Sequence, residues 1–372
     1  MKTLGLGLIG CGNISNTYLD LAPLFRGVEI RSVTDLDAEL ADQKAEAYGV
    51  RSEPLAAMLA ADDIDMVVNL TIPEAHFETS KQALEAGKHV YSEKPFVLKL
   101  EEGMALTALA TKKGLRLGSS PDTFLGGSHQ QARAILDAGE IGDVVSGTCH
   151  IMGHGMEDWH PNPDFFYREG GGPILDMGPY YLTNLVQLLG PIARVQAASD
   201  TPFSKRTITN GPRTGEEVPV TTPTTFHAIL QFVSGAIITL GASWDVWKHR
   251  HDHMELYGTK GSLFLPDPNF FGSVVKIAKF GGEIEDLAVT THPFHIDNQG
   301  AQANYRTAGA AEMAQAILEE RPHRCNGDLA LHVVEVMTSI LRSGETGTPV
   351  EMKTACLRPP QLGKDAATAL LK

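Results

Sequence analysis

The sequence predicts an α/β protein that begins with a doubly wound parallel sheet and continues into a second α/β unit. Three observations carry that prediction. A short, two-sided apolar run, Leu4 to Ile9, ends in a glycine-rich turn, Gly10-Cys11-Gly12-Asn13-Ile14-Ser15. Strand-like and helix-like segments then alternate as far as Ser119, the pattern of successive βαβ units. From about Pro121 the rhythm changes, which places the domains at 1–121 and 122–372. A chain of 372 residues is long enough for two cores.

Leu4 to Ile9 reads as a central strand buried on both faces. A helical pattern follows through Tyr18, Leu19 and Leu21. Val28 to Thr34 is the second strand, and Asp37 is placed to cap a helix at Ala38 to Tyr48. Asp65 to Thr71 and His89 to Ser92 read as strands, with a helix at Glu74 to Glu85 between them. Leu100 to Lys112 is a helix and Leu115 to Ser119 the last strand. Ligands of such sheets bind beyond the carboxyl ends of the strands. Three segments fall there: Gly10 to Ser15, Thr71-Ile72-Pro73-Glu74-Ala75-His76, and Glu93-Lys94-Pro95.

In the second unit, Ser128 to Ala138 reads as a helix and Asp143 to His150 as a strand, followed by a polar and aromatic loop at 152–171. Gly170-Gly171-Gly172-Pro173 opens a helix with Asp176 in its first turn. Asp176 and Tyr180, four apart, share one face, while Tyr181 turns away to pack. Residues 201–223, rich in Thr, Pro and Gly, read as a mobile excursion. Strands follow at Thr224 to Val233, Ala236 to Ser243, His253 to Tyr257, Ser262 to Leu265 and Ser273 to Ala278. Helices follow at Ala308 to Glu319 and Asp328 to Arg342. The tail after Lys353 shows no core pattern.

The glycine turn has the chemistry of a dinucleotide site. Gly10 makes the tight turn. Gly12 lets the backbone N–H groups of Asn13 and Ile14 approach a pyrophosphate at a helix N-terminus. Ser15 is small enough for close helix–strand packing. Asp35 ends the second strand 23 residues beyond Gly12, where a carboxylate binds the adenosine ribose; Asp37 takes the cap and leaves Asp35 free for that role. Negative charge at Asp35 and Asp37 favours NAD over NADP, with Arg31 a weak counter-argument. Cys11 reads as a small residue filling the turn rather than as a nucleophile.

At GKHVYSEKPF, residues 87 to 96, the chain resembles the Gfo/Idh/MocA family of sugar and cyclitol oxidoreductases. TIPEAH, GEIGDV at 139–144, GGGPILDMGPYY at 170–181 and YGTKGSL at 257–263 extend the resemblance over nearly the whole chain. It implies an N-terminal Rossmann domain that binds NAD, and a C-terminal domain with an open, mainly antiparallel sheet whose outer face joins a homodimer or homotetramer. It implies cofactor contacts from Thr71, Pro73, His76, Glu93 and Lys94. It also implies a reaction centre at Lys94 and Asp176. Tyr180 stands where the family commonly has a histidine, so the identity of the acid/base is left between Tyr180 and Lys94.

Trp159, His160 and Arg168 belong to an aromatic and polar loop suited to a polyol, whose apolar face stacks and whose hydroxyls are hydrogen-bonded. His249, His251 and His253 alternate, which on a strand puts them on one face. They read as a polar sheet face, and no metal is expected because hydride transfer with NAD needs none.

Net charge is −14, which disfavours nucleic acid and anionic lipid as partners. No stretch approaches the roughly 18 apolar residues of a membrane span. MKTLGLGLIGCG lacks the basic region and cleavage site of a signal peptide. Four cysteines without CxxC spacing suit a reducing cytoplasm. The expected activity is NAD-dependent oxidation of a secondary alcohol in a sugar, sugar derivative or cyclitol. An NAD-assisted glycoside hydrolase and a non-catalytic NAD-binding sensor are the alternatives.

Overall fold

The computed structural model describes residues 3–299 and 303–372. Its first sheet is built from β1 (Leu4–Ile9), β2 (Val28–Thr34), β3 (Arg51–Ser52), β4 (Met66–Asn69), β5 (His89–Ser92) and β6 (Leu117–Ser119). All pairs are parallel, in the order β3-β2-β1-β4-β5-β6. Every residue of β1 and β4 is buried, as two-sided apolar runs require. The crossovers are α1 (Asn13–Leu21), α2 (Ala38–Tyr48), α3 (Leu55–Ala60), α4 (His76–Glu85) and α5 (Leu100–Lys113). The order reverses between β1 and β4, so the loops after these two strands diverge to opposite faces and leave a crevice at their carboxyl ends.

The chain continues through α6 (Gly127–Asp137), β7 (Val144–Met152), α7 (Gly172–Asp176), α8 (Gly178–Leu189) and β8 (Ile192–Asp200). A hairpin, β9 (Lys205–Thr207) and β10 (Glu217–Pro219), precedes β11 (Thr225–Phe232), β12 (Ile237–Ser243), β13 (Met254–Gly258), β14 (Gly261–Leu265), β15 (Lys276–Lys279) and β16 (Glu285–Asp286). Then come α9 (Ala308–Leu318), α10 (Gly327–Thr346), β17 (Val350–Glu351) and α11 (Lys364–Leu370). The large sheet runs β16-β15-β14-β13-β7-β12-β11-β8-β17. Only the β7–β12 pair is parallel; the others are antiparallel. Burial alternates along β11, so one face packs on helices, among them the largely buried α8 and α10, and the other is open.

Four sequence expectations need correction. Ile192–Asp200, for which the sequence predicts no element, is a nine-residue strand next to the short edge strand of the large sheet; its alanines and polar residues give a weak period-2 signal. The excursion at 201–223 holds a hairpin with a small core of Phe166, Tyr167, Ile208, Val218, Val220 and Trp244. The helix expected after Gly170 is two helices, and Pro179 marks the break because it has no N–H to continue the ladder. The tail forms α11, which buries Ala367 and Leu370. It returns to the first sheet's layer through Arg26 N to Leu370 O (2.8 Å) and Lys372 N to Leu24 O (2.9 Å).

Among the described residues, no helix is long and apolar enough to cross a membrane. All four cysteines are buried and free.

Candidate active site

The site begins at the turn after β1. Gly10 has φ 103°, and a β-carbon there would lie 2.6 Å from the Leu70 carbonyl oxygen, so both backbone geometry and space demand glycine. Gly12 is the opposite case. It is exposed, and a β-carbon would meet no protein atom within 4 Å. It caps α1 without a side-chain hydrogen bond, so the helix presents its first N–H groups, including those of Asn13 and Ile14, to open space. There the dipole favours an anion. A pyrophosphate fits that cradle, and a larger side chain at Gly12 would occupy it. Ser15 is buried and donates from Oγ to the Gly12 carbonyl at 2.6 Å.

Asp35 is not free, contrary to expectation. Its Oδ2 accepts from Cys11 N at 2.7 Å and its Oδ1 from Asp37 N at 2.9 Å. The carboxylate is fixed at the crevice, and each oxygen keeps a second lone pair for a ribose hydroxyl. Asp37 caps α2 through Glu39 N and Leu40 N. Arg31 is occupied by the Asp63 carbonyl at 3.1 Å and by ion pairs to Glu29 and Asp63. Burial and the Asp35 charge push the Cys11 thiol up to about 11, which keeps it protonated and unreactive.

The loop after β4 begins at Thr71, whose Oγ1 donates to Asn69 Oδ1 at 2.7 Å, and turns at Pro73. His76 stands behind this loop. It is buried, with Nδ1 2.7 Å from the Pro95 carbonyl and Nε2 2.9 Å from the Thr71 carbonyl. Burial lowers its pKa. His76 packs between the loops after β4 and β5, where the neutral ring donates to one of these two carbonyls at a time. Glu93 locks the loop after β5: Oε1 accepts from Tyr18 at 2.9 Å and Ser120 at 3.2 Å, and Oε2 from Lys94 N at 2.9 Å.

Lys94, Asp176 and Tyr180 come together. Lys94 Nζ donates to Asp176 Oδ1 and to the Asp176 carbonyl, both at 2.9 Å, and lies 5.2 Å from the centre of the Tyr180 ring. Asp176 ends α7 rather than starting its helix, so the ammonium meets both a carboxylate and a helix C-terminus. Burial alone would lower the Lys94 pKa. Asp176, then Tyr180 and Glu93, outweigh it and raise the pKa. The pairing with Asp176 favours the ammonium form of Lys94. Tyr181 faces elsewhere, bonded to His253 Nδ1 at 2.8 Å and Asp267 Oδ1 at 3.2 Å.

The aromatic loop flanks this centre. Trp159 is 58% exposed and packs edge-on to His160, with ring centres 5.4 Å apart; its open face is available for stacking. His160 Nδ1 accepts from Asn162 N at 3.1 Å, and the ring packs edge-on to Phe165 and Phe166. Arg168 reaches across to Glu74 at 3.4 Å and so bridges the two halves. The loop is braced by buried Arg206. Its Nη1 pairs with Glu157 at 3.1 Å, its Nη2 bonds Asp245, and its guanidinium lies 5.7 Å from the centre of the Tyr167 ring. His249 stacks on His251 and His251 on His150, while His253 turns to Tyr181. The three histidines therefore do not share a face. Among the described residues, no three His, Cys, Asp or Glu side chains converge as metal ligands.

Sequence reasoning missed Arg306. Nη2 donates to the Asn269 carbonyl at 2.8 Å and to Asn269 Oδ1 at 2.7 Å, and Nη1 to Asn304 Oδ1 at 3.5 Å. Burial would lower its pKa, but the neighbouring Tyr180, with Asp122 and Glu93, raises it. The next residue, Thr307, has φ 102°, a left-handed conformation that costs a β-branched residue about 1–3 kcal/mol. Asp122 Oδ2 compensates by accepting from Thr307 N at 3.1 Å and Gly309 N at 2.9 Å. No motif announces this turn, because its contacts to Asn269 and Asp122 come from segments far apart in the chain. A cavity of about 610 Å³ lies beside this region, lined in part by His253, Asp267, Phe270 and His295. Its lining does not include Lys94, Asp176 or Tyr180.

Residues 4–120 match the model of an oxidoreductase family with an NAD-binding Rossmann fold, and 129–264 the GFO/IDH/MocA C-terminal domain. The chain is 28% identical over 304 residues to dTDP-3,4-didehydro-2,6-dideoxy-alpha-D-glucose 3-reductase of Saccharopolyspora spinosa, covering 77% of this chain and 83% of that one. It is 26% identical over 269 residues to 1,5-anhydro-D-fructose reductase of Ensifer adhaerens, covering 69% and 74%. Its fold matches an NAD binding oxidoreductase from Klebsiella pneumoniae with TM-score 0.81 at 21% identity, covering 94% and 99%.

Proposed function

The chain belongs to the Gfo/Idh/MocA family of NAD-binding oxidoreductases, and from that premise we propose that it interconverts a secondary alcohol and a ketone on a sugar, sugar derivative or cyclitol. The observation that carries the proposal is the convergence of Lys94, Asp176 and Tyr180 at the carboxyl end of the first sheet. Relatives named as sugar reductases agree with the substrate class.

The backbone at Gly10, Gly12, Asn13 and Ile14 would hold the pyrophosphate, and Asp35 the adenosine ribose. Thr71, Pro73, Glu93 and Lys94 would line the path to the nicotinamide. Leu36 and Ile72, both strongly exposed, offer apolar flanks to the adenosine end. When bound, the nicotinamide supplies the hydride acceptor, or the donor in the reverse direction. The protein supplies the proton path. In oxidation the carbinol O–H proton passes to the Tyr180 oxygen as the C=O bond forms. Lys94, held by Asp176, donates to the substrate oxygen and stabilises charge there. Trp159, His160 and Arg168 contact the rest of the polyol. NAD is preferred to NADP because Asp35 and Asp37 oppose a 2′-phosphate. The units divide at 121/122, and the open sheet face bearing Ile229 and Ile237 joins copies of the chain.

The test is a panel of polyols, sugars and keto-sugars with NAD or NADH, read by reduced-nicotinamide absorbance. Stoichiometric change on a panel member supports the proposal. Aglycone release from glycosides with no net NADH identifies a hydrolase instead. NADH binding with no turnover of either kind identifies a sensor.

A further inference from the structure

The chemistry proposed above makes no use of the cavity of about 610 Å³. Its size suits a small molecule, and Phe264, Leu265 and Phe270 give it an apolar wall. Its polar groups are incompletely paired. Asp252, Asp267 and Asp297 line it together with a single lysine, Lys276. Among the described residues, none of these four takes part in an ion pair. Asp267 is fixed through Oδ1, which accepts from the Tyr181 hydroxyl at 3.2 Å and from Asn269 N at 3.0 Å. Among the described residues its Oδ2 has no partner. His295 lines the cavity and is only 7% exposed. Its Nδ1 lies 3.4 Å from Thr290 Oγ1, while its Nε2 has no partner among the described residues. Gly272 packs close to this ring, since a β-carbon there would lie 3.1 Å from His295 Cδ2. A buried polar atom is rarely left without a partner, and this one belongs to a side chain that faces a cavity.

We propose that this cavity is a binding site for a cationic polyol, an amino sugar or aminocyclitol, separate from the reaction centre at Lys94, Asp176 and Tyr180. Three carboxylates against one lysine leave an excess of negative charge, which selects an ammonium over a neutral hydroxyl. Asp267, already oriented by Tyr181 and Asn269, receives the ammonium on Oδ2. His295 Nε2 and the Ser273 hydroxyl meet ring hydroxyls, and Phe270 covers the apolar side of the ring. Lys276 repels the ligand's charge and limits its affinity. Tyr181 also bonds His253 Nδ1 at 2.8 Å, so it ties two residues of the cavity wall to α8. The proposal does not depend on the dehydrogenase reading, because no residue of that reaction centre lines the cavity.

The test is calorimetric titration of the full chain, in the presence of NADH at neutral pH, with glucosamine and with its uncharged counterparts glucose and N-acetylglucosamine. Glucosamine should bind about tenfold or more tightly than either, as expected for a hydrogen bond to a charged group. Asp267→Asn should weaken glucosamine binding by about the same factor. Because Asp267 also holds Tyr181, the exposed Asp297 supplies a second variant that leaves the packing alone: Asp297→Asn should weaken binding about twofold. Lys276→Ala should tighten it about twofold, a direction that loss of structure does not produce. Lys94→Ala should leave the glucosamine dissociation constant unchanged. Equal affinity for glucose and glucosamine, or no saturable binding of glucosamine, overturns the proposal. So does binding that is lost in Lys94→Ala and unchanged in Asp267→Asn and Asp297→Asn, which would put the amino sugar in the reaction centre. The titration needs no turnover, so it remains decisive if the polyol panel fails.

Discussion

The cofactor crevice and the reaction centre are built on opposite plans. The crevice is mostly backbone from one continuous stretch: β1, the Gly10–Ser15 turn and the start of α1, with Asp35 pinning the turn through Cys11 N. The reaction centre is side chains from distant segments, Lys94 from the loop after β5 and Asp176 with Tyr180 from α7 and α8. A backbone cradle tolerates most side-chain changes but not a lost glycine. An assembled centre fails when any one member is removed, yet leaves the cradle intact. Binding and chemistry should therefore separate under mutation.

Tyr180→Phe should have the largest effect on the centre: kcat falls about 10²- to 10⁴-fold, with NADH affinity preserved. Tyr180→His should retain more activity and shift the pH–rate profile toward lower pH. A loss below about threefold, with chemistry rate-limiting, breaks the assignment.

Gly12→Val attacks the cradle instead. An added β-carbon meets no protein atom within 4 Å and the side chain extends from there into the cradle, so thermal stability should be near wild type, while the NAD dissociation constant rises about tenfold or more, about 1.4 kcal/mol. Calorimetric titration showing wild-type affinity would move the pyrophosphate elsewhere.

Asp35→Asn keeps an acceptor for Cys11 N but removes the charge. The ratio of kcat/KM for NAD to that for NADP should fall about tenfold, as expected for losing a charged hydrogen-bonding group. An unchanged ratio would show that Asp35 serves only the turn.

The same difference explains what could be read from sequence. The Gly10–Ser15 turn, Asp35 and the alternation through Ser119 are local patterns, and the first sheet follows them closely. Lys94 and Asp176 were legible through EKP and the GGG-containing segment. The role of His76 was not, because its two carbonyl partners depend on how the loops after β4 and β5 meet. Arg306 has no local signal at all; its position depends on Thr307, Asp122 and Asn269. Nor did spacing alone reveal that Pro179 divides the helix carrying Asp176 from that carrying Tyr180.

The smallest predicted effect concerns the strained turn. Burial raises Asp122 from 3.8 to about 6. The folded state therefore binds its proton more tightly than the unfolded state, and this carboxyl's contribution to stability declines as pH rises from about 4 to about 6. Asp122→Asn removes that titration. The urea-unfolding free energy of wild type minus variant should fall across the window and stay level above it. A flat difference contradicts this account of Asp122.

The central claim is that Lys94, though it lies on the nicotinamide side of the crevice, contributes far more to chemistry than to cofactor affinity. It is tested most directly by measuring the NADH dissociation constant and kcat side by side in wild type and Lys94→Ala. The account predicts a dissociation constant within about threefold of wild type, because the cradle at Gly10–Ser15 is untouched, and a kcat lowered by about 10³-fold. A Lys94→Ala protein that turns over near the wild-type rate, or that loses NADH binding in proportion to activity, would contradict it.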